Sequence, residues 1–186
     1  MGAEVAEAAE QDPILEALAR GDRREALSLC CRLHGASLGR LCMAWLGSQA
    51  EADEATQETL LAAWDALPAY RGDGAPRAWL FAIARRVCAR RAETRGRREN
   101  RLRLIHGDDD RAPPADALLL TRQRAERVRQ ALDALKPSER DAVVLRFEGE
   151  LSFREVGECC GIDEAAARKR VSRAIERLRG ALGDDP

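Results

Sequence analysis

Residues Leu151–Arg179 read L-S-F-R-E-V-G-E-C-C-G-I-D-E-A-A-A-R-K-R-V-S-R-A-I-E-R-L-R. Two helical patterns are joined there around a glycine. Ser152 and Glu155 have capping-box spacing, which predicts a helix start at Ser152. Gly161 can take the positive φ that a tight helix–helix turn needs, and Asp163 is a good N-cap for a second helix. In that helix Val171, Ile175, Leu178 and Leu182 form one apolar stripe, while Lys169, Ser172, Arg173 and Glu176 fall on the opposite side. Arg168, Arg170 and Arg177 lie on the flanks. Six cations against one acid between Arg168 and Arg179 favour DNA contact over a merely solvated face. The turn, the caps and the one-sided charge together spell a helix-turn-helix, whose second helix enters a major groove.

The rest of the chain is also helical in pattern. It is rich in Ala, Leu, Arg and Glu over 186 residues, with 4% aromatics, and no strand alternation or internal repeat is present. An all-α fold follows. Ile105–Ala117 is acidic and contains Pro113-Pro114, so 104–120 reads as a flexible linker between a module at 12–103 and another at 121–182. In the first, helices are predicted at Pro13–Arg20, Arg23–Leu33, Leu38–Leu46 and Glu51–Leu67. A turn-rich loop, Pro68–Pro76, precedes a long helix opening at Arg77. In the second, Thr121–Leu135 and a short helix after Pro137, with Ser138 and Asp141 as a capping box and Val143, Val144 and Phe147 as core, complete a four-helix domain.

Net charge is −1, but the charge is segregated. Residues 1–66 hold twelve acids and five cations, whereas Arg85–Arg103 holds nine arginines and two acids. The basic block suggests phosphate; the acidic half suggests a protein partner or simple solvation. No apolar run is long enough for a membrane span and no secretion signal is visible, so a cytoplasmic location is expected. The six cysteines form no C-x-x-C pair. Cys30, His34 and Cys42 share helical spacing, but ordinary packing is the favoured account over a metal or redox cluster, and no cofactor is expected. Only His34 and His106 occur, without a phosphate loop or paired carboxylates. An enzyme is the least favoured class.

Both modules resemble an extracytoplasmic-function (ECF) sigma factor, a bacterial promoter-recognition subunit. E-A-D-E-A-T-Q-E-T-L-L-A-A-W (Glu51–Trp64) and L-P-A-Y-R-G-D-G-A-P-R-A-W-L-F-A-I-A-R (Leu67–Arg85) are similar to the family's second region. L-K-P-S-E-R-D-A-V-V-L-R-F (Leu135–Phe147) and the helix-turn-helix are similar to its fourth. The resemblance implies that Asp53, Glu54, Gln57 and Glu58 dock on core RNA polymerase. It implies that Tyr70, Arg71, Gly72 and Asp73 belong to a loop capturing an unstacked base of the −10 element, with Arg77 beside it on phosphate. Arg85, Arg86, Arg90 and Arg91 would face −10 DNA. Lys169 and Ser172 would read −35 base edges, with Arg168, Arg170 and Arg173 on phosphate or bases. Promoter DNA and an anti-sigma factor are the further partners implied. Trp79, at helical spacing from Ile83, is expected in the core. Two departures stand out: Arg86 replaces a usual asparagine, and Ala165-Ala166-Ala167 replaces a typical Gly-Thr-Val. A stand-alone helix-turn-helix regulator and a sigma-mimicking adaptor are the alternatives.

Overall fold

The computed structural model describes residues 12–72, 74–106 and 119–183, and every regular element among them is helical. Asp12 caps α1 (Pro13–Ala19) by accepting from the Ile14 amide at 2.9 Å, with Pro13 in the first turn. Asp22 caps α2 (Arg23–Leu46) through the Glu25 amide at 2.9 Å. The two helices expected over Arg23–Leu46 are one. Gly35 and Gly39 cost only about 1 kcal/mol each in a helix. Buried Ala26, Cys30, Leu38, Leu41, Cys42 and Trp45 carry a single face through them.

Next come α3 (Gln49–Ala66), a 3₁₀ turn at Leu67–Ala69 and α4 (Pro76–His106). The buried face of α3 is small: Ala52, Ala55, Thr59 and Ala63. Small side chains let it lie close against α2 and α4, its two neighbours. Because α4 runs to His106, the linker boundary expected at 104 falls inside a helix. Residues 107–118, most of that linker, lie outside the described residues.

The second unit comprises α5 (Leu119–Asp133), α6 (Pro137–Phe147), α7 (Phe153–Cys160) and α8 (Glu164–Leu182). The Ser138–Asp141 capping box does not form. Lys136 is the N-cap of α6, without a side-chain bond, because Asp141 turns toward Arg85 of α4 instead. Phe147, expected in the core, is 58% exposed, while Ala142, Val143, Val144 and Leu145 are buried. Phe147, Val128, Leu132, Ile175, Leu178 and Leu182 line an open apolar groove of about 640 Å³.

The helix-turn-helix forms as its local signals require. Ser152 Oγ accepts from the Glu155 amide at 3.2 Å, and Glu155 Oε2 accepts from the Ser152 amide at 2.7 Å. Gly161 adopts φ +67° at the C-cap of α7, and Asp163 accepts from the Ala166 amide at 2.7 Å. Inside α7, a Cβ on Gly157 would lie 2.6 Å from the Ile162 carbonyl oxygen. That contact is backbone, so the turn itself would have to move. Gly157→Ala should destabilise the protein by about 1–3 kcal/mol, read as a lower urea midpoint, whereas Ala at the open helical site Gly180 should leave it unchanged or higher.

The two units share one continuous core, with α7 packed on α4 and α6 on α2. Cys159 seals part of this seam, its thiol donating to the Ala78 carbonyl at 3.0 Å. Arg140 donates to the carbonyls of Ala44 and Trp45 at 2.9 and 3.0 Å.

Candidate nucleic-acid interface

Helix α8 buries Ala167, Val171 and Ala174, and it turns Lys169, Ser172, Arg173 and Glu176 to solvent. The small buried residues seat it tightly on α7. Ile175, Leu178 and Leu182, expected in the core stripe, are only partly covered and border the groove. Arg170 is half-buried at the flank. Arg168 is exposed, bonded to Glu164 at 2.9 Å, and lies over the Phe153 ring at 4.6 Å. The outward face of α8 therefore carries the donors of Lys169, Ser172 and Arg173, with the acceptor Glu176 beside them, on a helix capped at both ends. Such a face can reach base edges and phosphates in a groove about as wide as the helix.

The first unit presents a second candidate surface. Tyr70 donates its hydroxyl to the Gly74 carbonyl at 2.8 Å, closing the loop on itself, and its ring packs on Trp79 with centroids 4.8 Å apart. Trp79 thus sits at the edge of the core, half-exposed, instead of within it. Arg71 is exposed, Gly72 has φ +78°, and Asp73 lies outside the described residues.

Most of the neighbouring arginines are already matched to carboxylates. Arg77 grips Glu155 with Nε and one terminal nitrogen, both at 3.2 Å, and Arg85 meets Asp141 at 3.1 Å. These pairs clasp α4 to the second unit. Further along α4, Arg90 and Arg91 both bond Glu58, Arg91 also bonds Glu54 at 2.9 Å, and Arg95 bonds Glu51. Hydrogen bonds from Arg91 lead in holding the Glu58 carboxyl below its usual range. Arg86 is exposed, with no carboxylate partner among the described residues.

Comparison with known proteins resolves what these surfaces belong to. Residues 31–98 match the family model for sigma-70 region 2, and residues 131–180 match that for sigma-70 region 4. The chain belongs to the sigma-70 family, as an ECF sigma factor. It is 31% identical to the RNA polymerase sigma-H factor of Pseudomonas aeruginosa, covering 93% of this chain and 94% of that one. It is 33% identical to the ECF sigma factor SigC of Mycobacterium tuberculosis, over 73% and 72% of the two chains. Among solved structures, CnrH in complex with the cytosolic domain of CnrY superposes with a TM-score of 0.68 at 24% identity, covering 94% of this chain and 99% of that one. The sigma factor RpoE of Bartonella quintana, solved with the anti-sigma factor NepR, gives 0.64 at 25% identity, covering 84% and 96%.

On this sigma factor the four expected docking residues divide into two sets. Glu54 and Glu58 are tied to Arg91, whereas Asp53 and Gln57 point outward, Asp53 accepting from Gln49 at 2.8 Å. Leu61 and Trp64 continue that outward face, 68% and 41% exposed. Sequence reasoning passed over these two. Their signal was local: they fall opposite the Ala52–Ala55–Thr59–Ala63 face, where an amphipathic helix would carry polar residues. No group of three His, Cys, Asp or Glu side chains among the described residues is arranged to hold a metal. His34 packs edge-on to Phe81, 6.4 Å between centroids.

Proposed function

We propose that this sigma factor joins core RNA polymerase as a non-enzymatic subunit, acts in the cytoplasm, and directs initiation by reading −35 and −10 promoter DNA. The single observation that carries this is the solvent-facing Lys169–Ser172–Arg173 face of α8, set opposite its buried Ala167–Val171–Ala174 line, in a chain with both sigma regions in order. Residues 121–182 take the −35 role. Residues 12–103 take polymerase docking, through Asp53, Gln57, Leu61 and Trp64, and −10 recognition. Tyr70 and Trp79 offer rings on which an unstacked base can lie, a contact worth about 1–3 kcal/mol. Arg71 and Arg86 stand ready for phosphate, while Arg77 and Arg85 reach DNA only after the two units part and release Glu155 and Asp141. An anti-sigma factor is a further partner, as for the RpoE relative.

Run-off transcription with purified core polymerase tests this directly. Discrete start sites behind a shared −35/−10 pair, lost on deleting 150–182, are expected. Duplex binding without starts, given competent core enzyme, would instead support a stand-alone helix-turn-helix regulator.

A further inference from the structure

Two thiols meet inside the first unit, away from every surface assigned above to DNA or polymerase. Cys42 lies on the buried face of α2 and Cys88 on that of α4, 0% and 2% exposed. The two helices pack directly on each other. The thiols are in hydrogen-bond contact, Cys88 donating to Cys42, and both are free. The other neighbouring cysteines, Cys30–Cys31 and Cys159–Cys160, are adjacent in sequence. Consecutive Cα atoms are about 3.8 Å apart, less than a disulfide normally spans. Cys42 and Cys88 escape that constraint because they come from different helices.

The pair is also chemically unequal. The bond from Cys88 leads in holding the Cys42 thiol below its usual range, against burial, and the Arg91 charge assists. The same bond, together with burial, pushes the Cys88 thiol up. A thiolate is the nucleophile and a thiol is not, so Cys42 is the attacking sulfur and Cys88 the resolving one. Neither is reachable in the closed fold, and reaction follows local opening of α2. Gly39 and Gly35 stand about one and two turns before Cys42, and glycine weakens a helix where it sits.

We propose that Cys42 and Cys88 form a redox-active dithiol whose oxidising substrate is a small hydroperoxide, and that they close a reversible disulfide between α2 and α4. The Cys42 thiolate sulfur bonds to one peroxide oxygen and the O–O bond breaks. The departing oxygen takes up the proton that Cys42 gave up, and Cys42 is left as a sulfenic acid. The Cys88 sulfur then bonds to the Cys42 sulfur and expels hydroxide, which leaves as water with the Cys88 proton. Two thiols are oxidised by two electrons; hydrogen peroxide is reduced to two waters. The link ties α2 to the helix that bears Arg85 and Arg91, and it restricts the unfolded chain.

The test treats the reduced, folded full chain with hydrogen peroxide, alkylates the remaining thiols under denaturing conditions and maps the tryptic peptides. Leu41–Arg71 and Val87–Arg90, which hold the two cysteines, should be recovered joined by a bond that dithiothreitol opens. Cys30 and Cys159 should remain alkylatable. The oxidised chain should melt roughly 5–10 °C higher, and reduction should reverse the rise. Cys88→Ala leaves no resolving sulfur, so Cys42 should stop at a sulfenic acid that dimedone traps. Cys31→Ser, at an exposed position, should leave the joined peptides unchanged. Oxidation of Cys31 while Cys42 and Cys88 stay fully alkylatable would overturn the proposal. So would a disulfide among other cysteines in place of this one, or a Cys42–Cys88 link that forms only after the chain is unfolded in urea.

Discussion

Alanine at both Lys169 and Arg173 is expected to lower transcription from −35-dependent promoters by roughly 30-fold or more, at about 1–3 kcal/mol for each good base contact. Both side chains are exposed and face away from buried Ala167, Val171 and Ala174. Neither lies within an ion pair among the described residues. Alanine is the best helix former, so the fold should be unaffected and the urea midpoint unchanged. The decisive measurement is run-off yield at fixed core polymerase on two templates. One carries the full promoter, and the other has its −35 element scrambled. The variant should lose its advantage on the first template and match the wild type on the second. Equal loss on both would mean that these residues act elsewhere, in polymerase docking or in general phosphate attraction.

Glu155→Ala is expected to be the most damaging single change at the seam, costing about 2–3 kcal/mol. Its carboxylate is nearly buried and accepts from the Ser152 amide and hydroxyl, both at 2.7 Å, and from Arg77 twice. Alanine removes a helix cap and leaves a half-buried guanidinium without its counter-charge. Glutamine separates the two roles, because a capping box accepts Gln in place of Glu. Glu155→Gln should therefore keep the helix-turn-helix stable, lose the charge of the clasp, and increase the radius of gyration measured by X-ray scattering. An unchanged radius alongside full stability would show that packing alone holds the units together.

Acid should act on the two clasp carboxylates in opposite senses. Burial pushes the Glu155 carboxyl up, but the bonds from Arg77 and Ser152 outweigh it and leave the group below its usual range. Its stabilisation is thus full above the ordinary carboxylate range and disappears only as pH falls through that lowered value. Asp141 is the reverse: burial dominates over Arg85 and raises it. Its ionised form opposes folding, and this penalty is relieved as pH falls through the raised value. Glu155→Gln should remove the loss of stability on acidification that Glu155 contributes to a stability–pH curve and leave the opposite contribution of Asp141 in place.

What was legible in the sequence was what is decided within a few residues. The Ser152–Glu155 box, Gly161 and the Asp163 cap follow from short-range sterics and hydrogen bonding, and all three stand in the structure. So did the outward face of α8, since helical periodicity alone separates Val171 from Lys169. Tertiary burial settled the rest. Local propensity marks Gly35 and Gly39 as weak points, yet the apolar face running from Ala26 to Trp45 keeps α2 whole. Phe147 fitted the helical period of a core residue but stands at the groove, because Ala142 and Leu145 fill the interior. The partners of the arginines were beyond reach for the same reason. Arg77 and Glu155 are 78 residues apart, and a sequence pattern shows that a cation is present without showing which anion it meets.

The clasp at Arg77 and Arg85 also bears on how fast this protein engages. A ligand that needs those guanidinium groups finds them held against Glu155 and Asp141, behind a seam sealed by Cys159 and Arg140. Encounter alone then does not complete binding; the seam must first come apart, as a unimolecular event. When the minor, parted form is the competent one, the observed association rate rises with ligand concentration and then levels off at the rate of parting. That plateau would be a property of the chain itself, the same for every ligand that waits on these two arginines.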